Sequence, residues 1–190
     1  MKTLYFIAGC NGAGKTTASY TLLPELWNCR EFINADEIAK GLSPFNPAGV
    51  EILSGRLMLA RIEQLLAGEE SFSIETTLST KSYSTLIDKA HALGFSVKLL
   101  FFWLPSPETA IRRVEQRVSE GGHNIPIDII KRRYKAGIVN LFNIYMNKTD
   151  EWMLVENLST PRIVIASGGK DMEILINDVE LFEKVKSYVR

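Results

Sequence analysis

Gly9-Cys10-Asn11-Gly12-Ala13-Gly14-Lys15-Thr16 follows the apolar run Leu4-Tyr5-Phe6-Ile7-Ala8 and leads into a stretch of helical composition. Glycines 9, 12 and 14 open backbone conformations closed to residues with a Cβ, so successive N–H groups can converge on an anion, helped by the positive end of the following helix dipole. A strand, a glycine loop and a helix in that order are the context in which this spacing binds phosphate. Lys15 is placed to neutralise β and γ phosphates, and the Thr16 hydroxyl to hold a bridging magnesium ion. Gly9, Asn11, Gly12, Ala13, Gly14 and Thr17 complete the expected nucleotide-binding set. ATP and Mg²⁺ are the cofactors this implies.

Outward from the loop, strands alternate with helices. A helix from about Lys15 to Leu23 stops near Pro24, and Glu31-Phe32-Ile33-Asn34 reads as a short strand. Asn46-Pro47 is a cap followed by a helix-starting proline, after which Val50, Leu53, Leu57 and Ala60 recur at helical spacing to about Gly68. Strands are expected at 71–74 and 95–103, the second as a buried parallel strand ended by Pro105, with a helix over 80–92 between them. Helices follow at about 107–119 and 126–146, then strands near 151–155 and 162–166, and a last helix from about 178. This alternation predicts an α/β fold of the phosphate-loop NTPase type, a mostly parallel sheet with helices on both faces. No repeat or linker interrupts the 190 residues, which fit one domain.

Twenty-two basic and twenty-two acidic residues cancel, which gives no support for sequence-independent nucleic-acid binding. Ile7-Ala8-Gly9-Cys10 imitates a lipoprotein cleavage site, but the apolar run before it covers only residues 4–8, too short for a secretory signal. No window approaches a membrane span. Cys10 and Cys29 make no metal spacing, and Cys10 lies inside the loop, so a soluble protein of a reducing, cytoplasmic compartment is expected.

In such a sheet ligands bind beyond the carboxyl ends of the strands. Asp36, in Asn34-Ala35-Asp36-Glu37, follows the second strand and could accept the proton of an attacking hydroxyl; position alone leaves open that it, or a neighbour, caps the next helix. Glu75, in Ser73-Ile74-Glu75-Thr76-Thr77, ends the third strand, where with Thr76 it could hold substrate hydroxyls or water around magnesium. The alternative is a solvated residue before a helix cap. The fourth strand ends in Trp103-Leu104-Pro105, with no Asp to serve as second magnesium ligand, so Glu75, Asp36 or water must take that part.

Arg112 and Arg132 have Glu108 and Asp128 one turn earlier and read as surface ion pairs. Arg113 and Arg117 stand four apart with no acid four residues from either, and Arg133 has Ile129 and Gly137 at its helical positions. These three are candidates for contacting the transferring phosphate; a solvated basic face, with Glu120 near Arg117, is the competing account. Gly121-Gly122-His123 reads as the hinge of a helical lid over about 117–133, with His123 a lid contact. Asn147-Lys148-Thr149-Asp150 matches the guanine-reading tetrad of GTPases. It follows a helix instead of a strand, however, and no Asp-x-x-Gly accompanies it.

The loop, Asn34-Ala35-Asp36, Ile74-Glu75-Thr76-Thr77, and Gly121-Gly122-His123 followed by Arg132-Arg133-Tyr134 together resemble the zeta-toxin family of phosphate-loop kinases over nearly the whole chain. The resemblance implies that Asp36 is the catalytic base and that Glu75 helps hold the substrate. It also implies ATP-dependent phosphorylation of UDP-N-acetylglucosamine and a small antitoxin as partner. Ser79 stands where the best-known toxins carry a basic residue, and His123 replaces a lid arginine. With no long C-terminal extension either, the chain is closer to a short bacterial subgroup of predicted ATPases. Two readings therefore follow: a kinase of a small hydroxyl-bearing molecule, a UDP-sugar by resemblance, or a slow ATPase that signals through a protein partner.

Overall fold

A computed structural model describes residues 1–122 and 124–189. Strand β1 (Thr3–Gly9) is buried at every position, as a strand covered on both faces must be. It delivers the chain into α1 (Lys15–Thr21). Pro24 does not stop that helix. Because proline cannot donate to the preceding turn, the coil widens into a π-helical turn, Leu22–Leu26, closed by Trp27 N–H donating to the Leu22 carbonyl at 3.2 Å.

Next come β2 (Glu31–Ile33), α2 (Ala35–Leu42), a 3₁₀ turn at Pro47–Val50 and α3 (Glu51–Leu66). The helix expected after Pro47 is present, but it turns Ser54, Met58, Ile62, Leu65 and Leu66 inward. Leu53, Leu57 and Ala60, whose spacing announced it, are exposed. Then follow β3 (Phe72–Thr76), α4 (Tyr83–Ala92), β4 (Ser96–Trp103), α5 (Pro107–Ser119) and α6 (Ile127–Asn140), the last extended by a π-helical turn at Leu141–Tyr145. The chain continues through β5 (Glu151–Glu156), β6 (Ile163–Gly169), β7 (Met172–Ile176) and α7 (Val179–Lys186). Strand β7 was not expected; all five of its residues are exposed.

One seven-stranded sheet results, in the order β2-β3-β1-β4-β5-β6-β7. The first five strands in that order are parallel, whereas β6 and β7 run antiparallel to their neighbours. The fold is thus the expected mostly parallel α/β sheet with helices on both faces, closed at one side by an antiparallel hairpin. From β1 the chain goes first to the β3 side and later to the β4 side, which opens a crevice at the carboxyl end of β1. The phosphate loop occupies that crevice. No helix among the described residues is long and apolar enough to cross a membrane.

Candidate active site

The glycine loop is held from beneath and from the side. A Cβ at Gly9 (φ +136°) would collide with the Phe102 carbonyl of the adjacent strand β4, so β1 and β4 can only lie this close with glycine there. Ala13 N–H donates to the Cys10 carbonyl at 3.2 Å, and the Lys15 ammonium donates to the same oxygen at 3.0 Å. From the end of β5, Asn157 Nδ2 donates to the Ala13 carbonyl at 2.6 Å, while Arg162 Nε donates to Asn157 Oδ1, also at 2.6 Å. Gly14 (φ +77°) sits against that amide, where a Cβ would come within 2.6 Å of Asn157 Nδ2. The anchoring role of Asn157 was not foreseen from sequence.

Glu75 lies within β3 as its penultimate residue, paired with Ile7 of β1. Its Oε2 accepts from the Thr16 hydroxyl at 2.7 Å and from Asn34 Nδ2 at 2.9 Å, and its Oε1 is 3.5 Å from Lys15 Nζ. The ion pair is deeply covered, with side-chain exposures of 7% for Lys15 and 10% for Glu75. Neither charge is left uncompensated, as burial requires. Asn34 does two jobs: its amide donates to Glu75, and its Oδ1 caps α2 by accepting from Asp36 N–H at 2.8 Å and Glu37 N–H at 3.4 Å. Because Asn34 is the cap, the Asp36 side chain is not needed for that task. It is exposed on the first turn of α2.

A cleft of roughly 410 Å³ brings together Asn11, Gly12, Gly14, Lys15, Thr16 and Thr17 with Asp36, Glu75, Arg113 and Arg117. Glu37, Lys40, Gln116 and Glu120 complete its walls. Arg113 Nη1 lies 3.5 Å from the Gly12 carbonyl, and Arg133 Nη1, from α6, lies 3.5 Å from Asn11 Oδ1. Two of the expected arginines therefore reach the loop from helices remote in sequence, and Arg117 stands one turn beyond Arg113 on α5. Arg112 turns away and donates to Thr109 Oγ1 at 3.3 Å. The Thr76 hydroxyl accepts from Leu78 N–H at 3.0 Å, and Thr76 is not among the residues lining the cleft. His123, the expected lid contact, lies outside the described residues.

The hydroxyl of Thr16 and the carboxylate of Glu75 are hard oxygen donors that suit a magnesium ion. Among the described residues no group of three His, Cys, Asp or Glu side chains could hold a metal alone, so phosphate and water oxygens would have to complete its shell. Burial pushes the Cys10 thiol up to about 11, with Lys15 and Arg113 pulling it only partly back. That cysteine packs as a small apolar residue.

The GTPase-like tetrad sits at the other end of the sheet. Asp150 Oδ2 accepts from Val97 N–H at 2.7 Å and lies 2.9 Å from His91 Nε2; its Oδ1 lies 2.8 Å from Lys170 Nζ. Thr149 Oγ1 donates to the Tyr145 carbonyl at 3.0 Å. Asp150 and Thr149 thus tie the start of β5 to its surroundings, far from the phosphate loop.

The strand order, the glycine loop and the lysine, threonine and acid gathered at its mouth define a phosphate-loop α/β protein. Residues 1–157 match the family described as Zeta toxin. The chain belongs to that family. An uncharacterized protein of Haemophilus influenzae is 32% identical over 129 residues, which make up 68% of this chain and 90% of that one. Among solved structures, the crystal structure of AvrRxo1-ORF1:-ORF2 with ATP matches at a TM-score of 0.82 and 21% identity over 99% of this chain. This chain spans 64% of that neighbour's length, a little under two thirds. The PezAT chromosomal toxin-antitoxin system of Streptococcus pneumoniae matches at a TM-score of 0.64 and 16% identity, over 88% of this chain and 72% of that one.

Proposed function

We propose that the protein is a magnesium- and ATP-dependent phosphotransferase that phosphorylates a hydroxyl of a small molecule, a UDP-N-acetylsugar, in the cytoplasm. The observation that carries this reading is the position of Asp36. Released from capping by Asn34, its carboxylate is exposed in the cleft that also contains Lys15 and Thr16.

In this scheme the loop amides and Lys15 hold the β and γ phosphates of ATP, and Arg113, Arg117 and Arg133 offset the charge of the moving phosphoryl group. Asp36 takes the proton of the acceptor hydroxyl as its oxygen bonds to the γ phosphorus and the bond to the departing ADP breaks. Thr16, with Glu75 beside it, would hold magnesium, which when bound neutralises phosphate charge. Glu75 positions the acceptor. Residues 117–133 act as the lid, closing so that water does not take the phosphate. Family membership and a structural neighbour solved with ATP support this reading. The neighbours described as AvrRxo1-ORF1:-ORF2 and as a toxin-antitoxin system support a small antitoxin protein as partner.

The test is transfer from γ-labelled ATP to a panel of UDP-sugars. Wild type should label one or more of them, and Asp36→Asn should keep its affinity for an ATP analogue while losing transfer by about 10²-fold to 10⁴-fold. Undiminished transfer by Asp36→Asn would remove the assigned base. Hydrolysis of ATP with no labelled acceptor would instead place the protein among slow nucleotide-dependent switches.

A further inference from the structure

Helix α3 is apolar on every side. Ser54, Met58, Ile62, Leu65 and Leu66 face the fold, yet Ile52, Leu53, Leu57 and Leu59 are all exposed, Ile52 at 77%. A helix of this kind belongs in an interior, because a surface helix normally sets one apolar stripe against a polar opposite face. The apolar surface continues into the chain that leads up to α3. Leu42, the last residue of α2, is half-exposed, and Phe45 in the connection that follows is fully exposed. α2 packs along α3, and β2, against which α3 also lies, is an edge strand of the sheet.

At about 100 Å² for each of these six side chains, the patch offers roughly 600 Å² of apolar surface, the upper end of what a monomer leaves open. Homodimer interfaces are about 65% apolar, so the patch implies a footprint of about 900 Å² on each partner, the size of a standard specific interface.

The charges on this face select the partner. On a heptad grid the outermost stripe of α3 reads Leu53, Arg56, Ala60 and Glu63, with Ile52, Leu57 and Leu59 flanking it. Arg56 and Glu63 are exposed and carry opposite signs, and Lys89 holds Glu63 from the flank. A second α3 running antiparallel about a two-fold axis near residue 58 sets Arg56 against Ala60 of the other copy, where the small side chain leaves room, and within reach of the other Glu63. Symmetry repeats the contact, so the stripe is complementary to its own image. A strongly acidic or strongly basic partner would satisfy one of these charges and oppose the other.

We propose that the exposed face of α3, with Leu42 and Phe45 beside it, is the interface of a two-fold symmetric homodimer in which the α3 helices pack antiparallel and Arg56 of each copy pairs with Glu63 of the other. Because α3 backs α2, whose first turn carries Asp36, the contact braces the element that presents that carboxylate.

Sedimentation equilibrium on the full chain tests this. Wild type should dimerise with a dissociation constant of about 10 µM or tighter, and its melting temperature should rise with protein concentration, since only folded chains pair. Leu53→Glu and Arg56→Glu should each raise that constant by about thirtyfold or more, whereas Arg56→Lys should stay within about fivefold of wild type. Both positions are exposed, so the variants should be folded monomers by circular dichroism. In an independent measurement, Leu57→Cys should be trapped as a covalent dimer by a short bismaleimide. Met153→Cys, on β5 and 41% exposed against 42% for Leu57, should not, and the native Cys10 and Cys29 are buried.

A wild type that stays monomeric at about 100 µM would overturn the assignment. So would a dimer that Leu53→Glu and Arg56→Glu leave intact, or trapping of Met153→Cys as readily as Leu57→Cys. Should Leu53→Glu fail to fold, Arg56→Glu and the trapping decide.

Discussion

At the scale of single residues, the phosphate loop depends on a side chain that arrives from 144 positions away. Asn157 Nδ2 donates to the Ala13 carbonyl and lies directly beneath Gly14, so it fixes both the height and the curvature of the loop. Replacing it with alanine removes that hydrogen bond and a packing surface together. Asn157→Ala should therefore weaken binding of an ATP analogue about tenfold, corresponding to a loss of about 1.4 kcal/mol, measurable by calorimetry. The loop itself was legible in the sequence, because glycine, lysine and threonine at fixed spacing state a backbone conformation and a charge. Asp36 and Glu75 were legible for a different reason, namely that strand ends in a parallel sheet face the ligand. Asn157 was not, since an asparagine after a strand reads as a turn residue until the strand order brings β5 beside β4. The double use of Asn34 was likewise hidden. The sequence left the cap to Asp36 or a neighbour, and the contact of the Asn34 amide with Glu75 requires β2 to lie beside β3.

At the scale of elements, α6 braces the backbone beside the site. Its buried side straps down the segment that follows Glu75. Asn140 Nδ2 donates to the Leu78 carbonyl at 2.8 Å, and Tyr145 Oη, in the turn that extends α6, donates to the Thr80 carbonyl at 2.6 Å. Leu78 is held at φ 53°, a conformation leucine rarely adopts, while fully buried. Such strain persists only where the surroundings over-determine the backbone. Gly137 lets α6 approach, since a Cβ there would stand 2.5 Å from the Thr77 carbonyl. Gly137→Ala should cost about 2 kcal/mol through overpacking and lower the melting temperature by roughly 4–8 °C, readable by calorimetric melting. The helix was visible as apolar periodicity, but periodicity does not name the partner of each face. α3 makes the same point. Its Leu53 and Leu57 suggested the helix and are exposed, whereas Ser54 and Met58 face inward.

At the scale of the whole molecule, the two ends of the sheet have separate tasks. The carboxyl ends carry the loop and cleft, while at the opposite end Asp150 joins β4, α4 and the β6–β7 turn. Burial opposes ionisation of Asp150, but Lys170, Val97 N–H and His91 outweigh it and hold the carboxyl at about 2, below its usual 3.8. A depressed acid pKa stabilises the fold above the unfolded value and loses that contribution as pH falls through the folded one. Wild type should therefore lose stability between about pH 4 and pH 2. Asp150→Asn should be less stable at pH 7 and flatter across that window, by urea unfolding, with affinity for an ATP analogue unchanged. The parallel part of the sheet was legible from alternating strands and helices. The closing hairpin was not, because Met172–Ile176 is a short run beside a Gly-Gly-Lys-Asp turn and shows no buried face to mark it as a strand. That hairpin nonetheless bears on the phosphate loop. Arg162 leads into β6 and grips the oxygen of the Asn157 amide, which leaves only the nitrogen free to clasp Ala13. A fragment trimmed to the 157 residues of the family match would retain the clasp but release the hand that orients it. The amide could then rotate, turning an acceptor toward a carbonyl, and the nucleotide cradle would slacken without a single substitution within it.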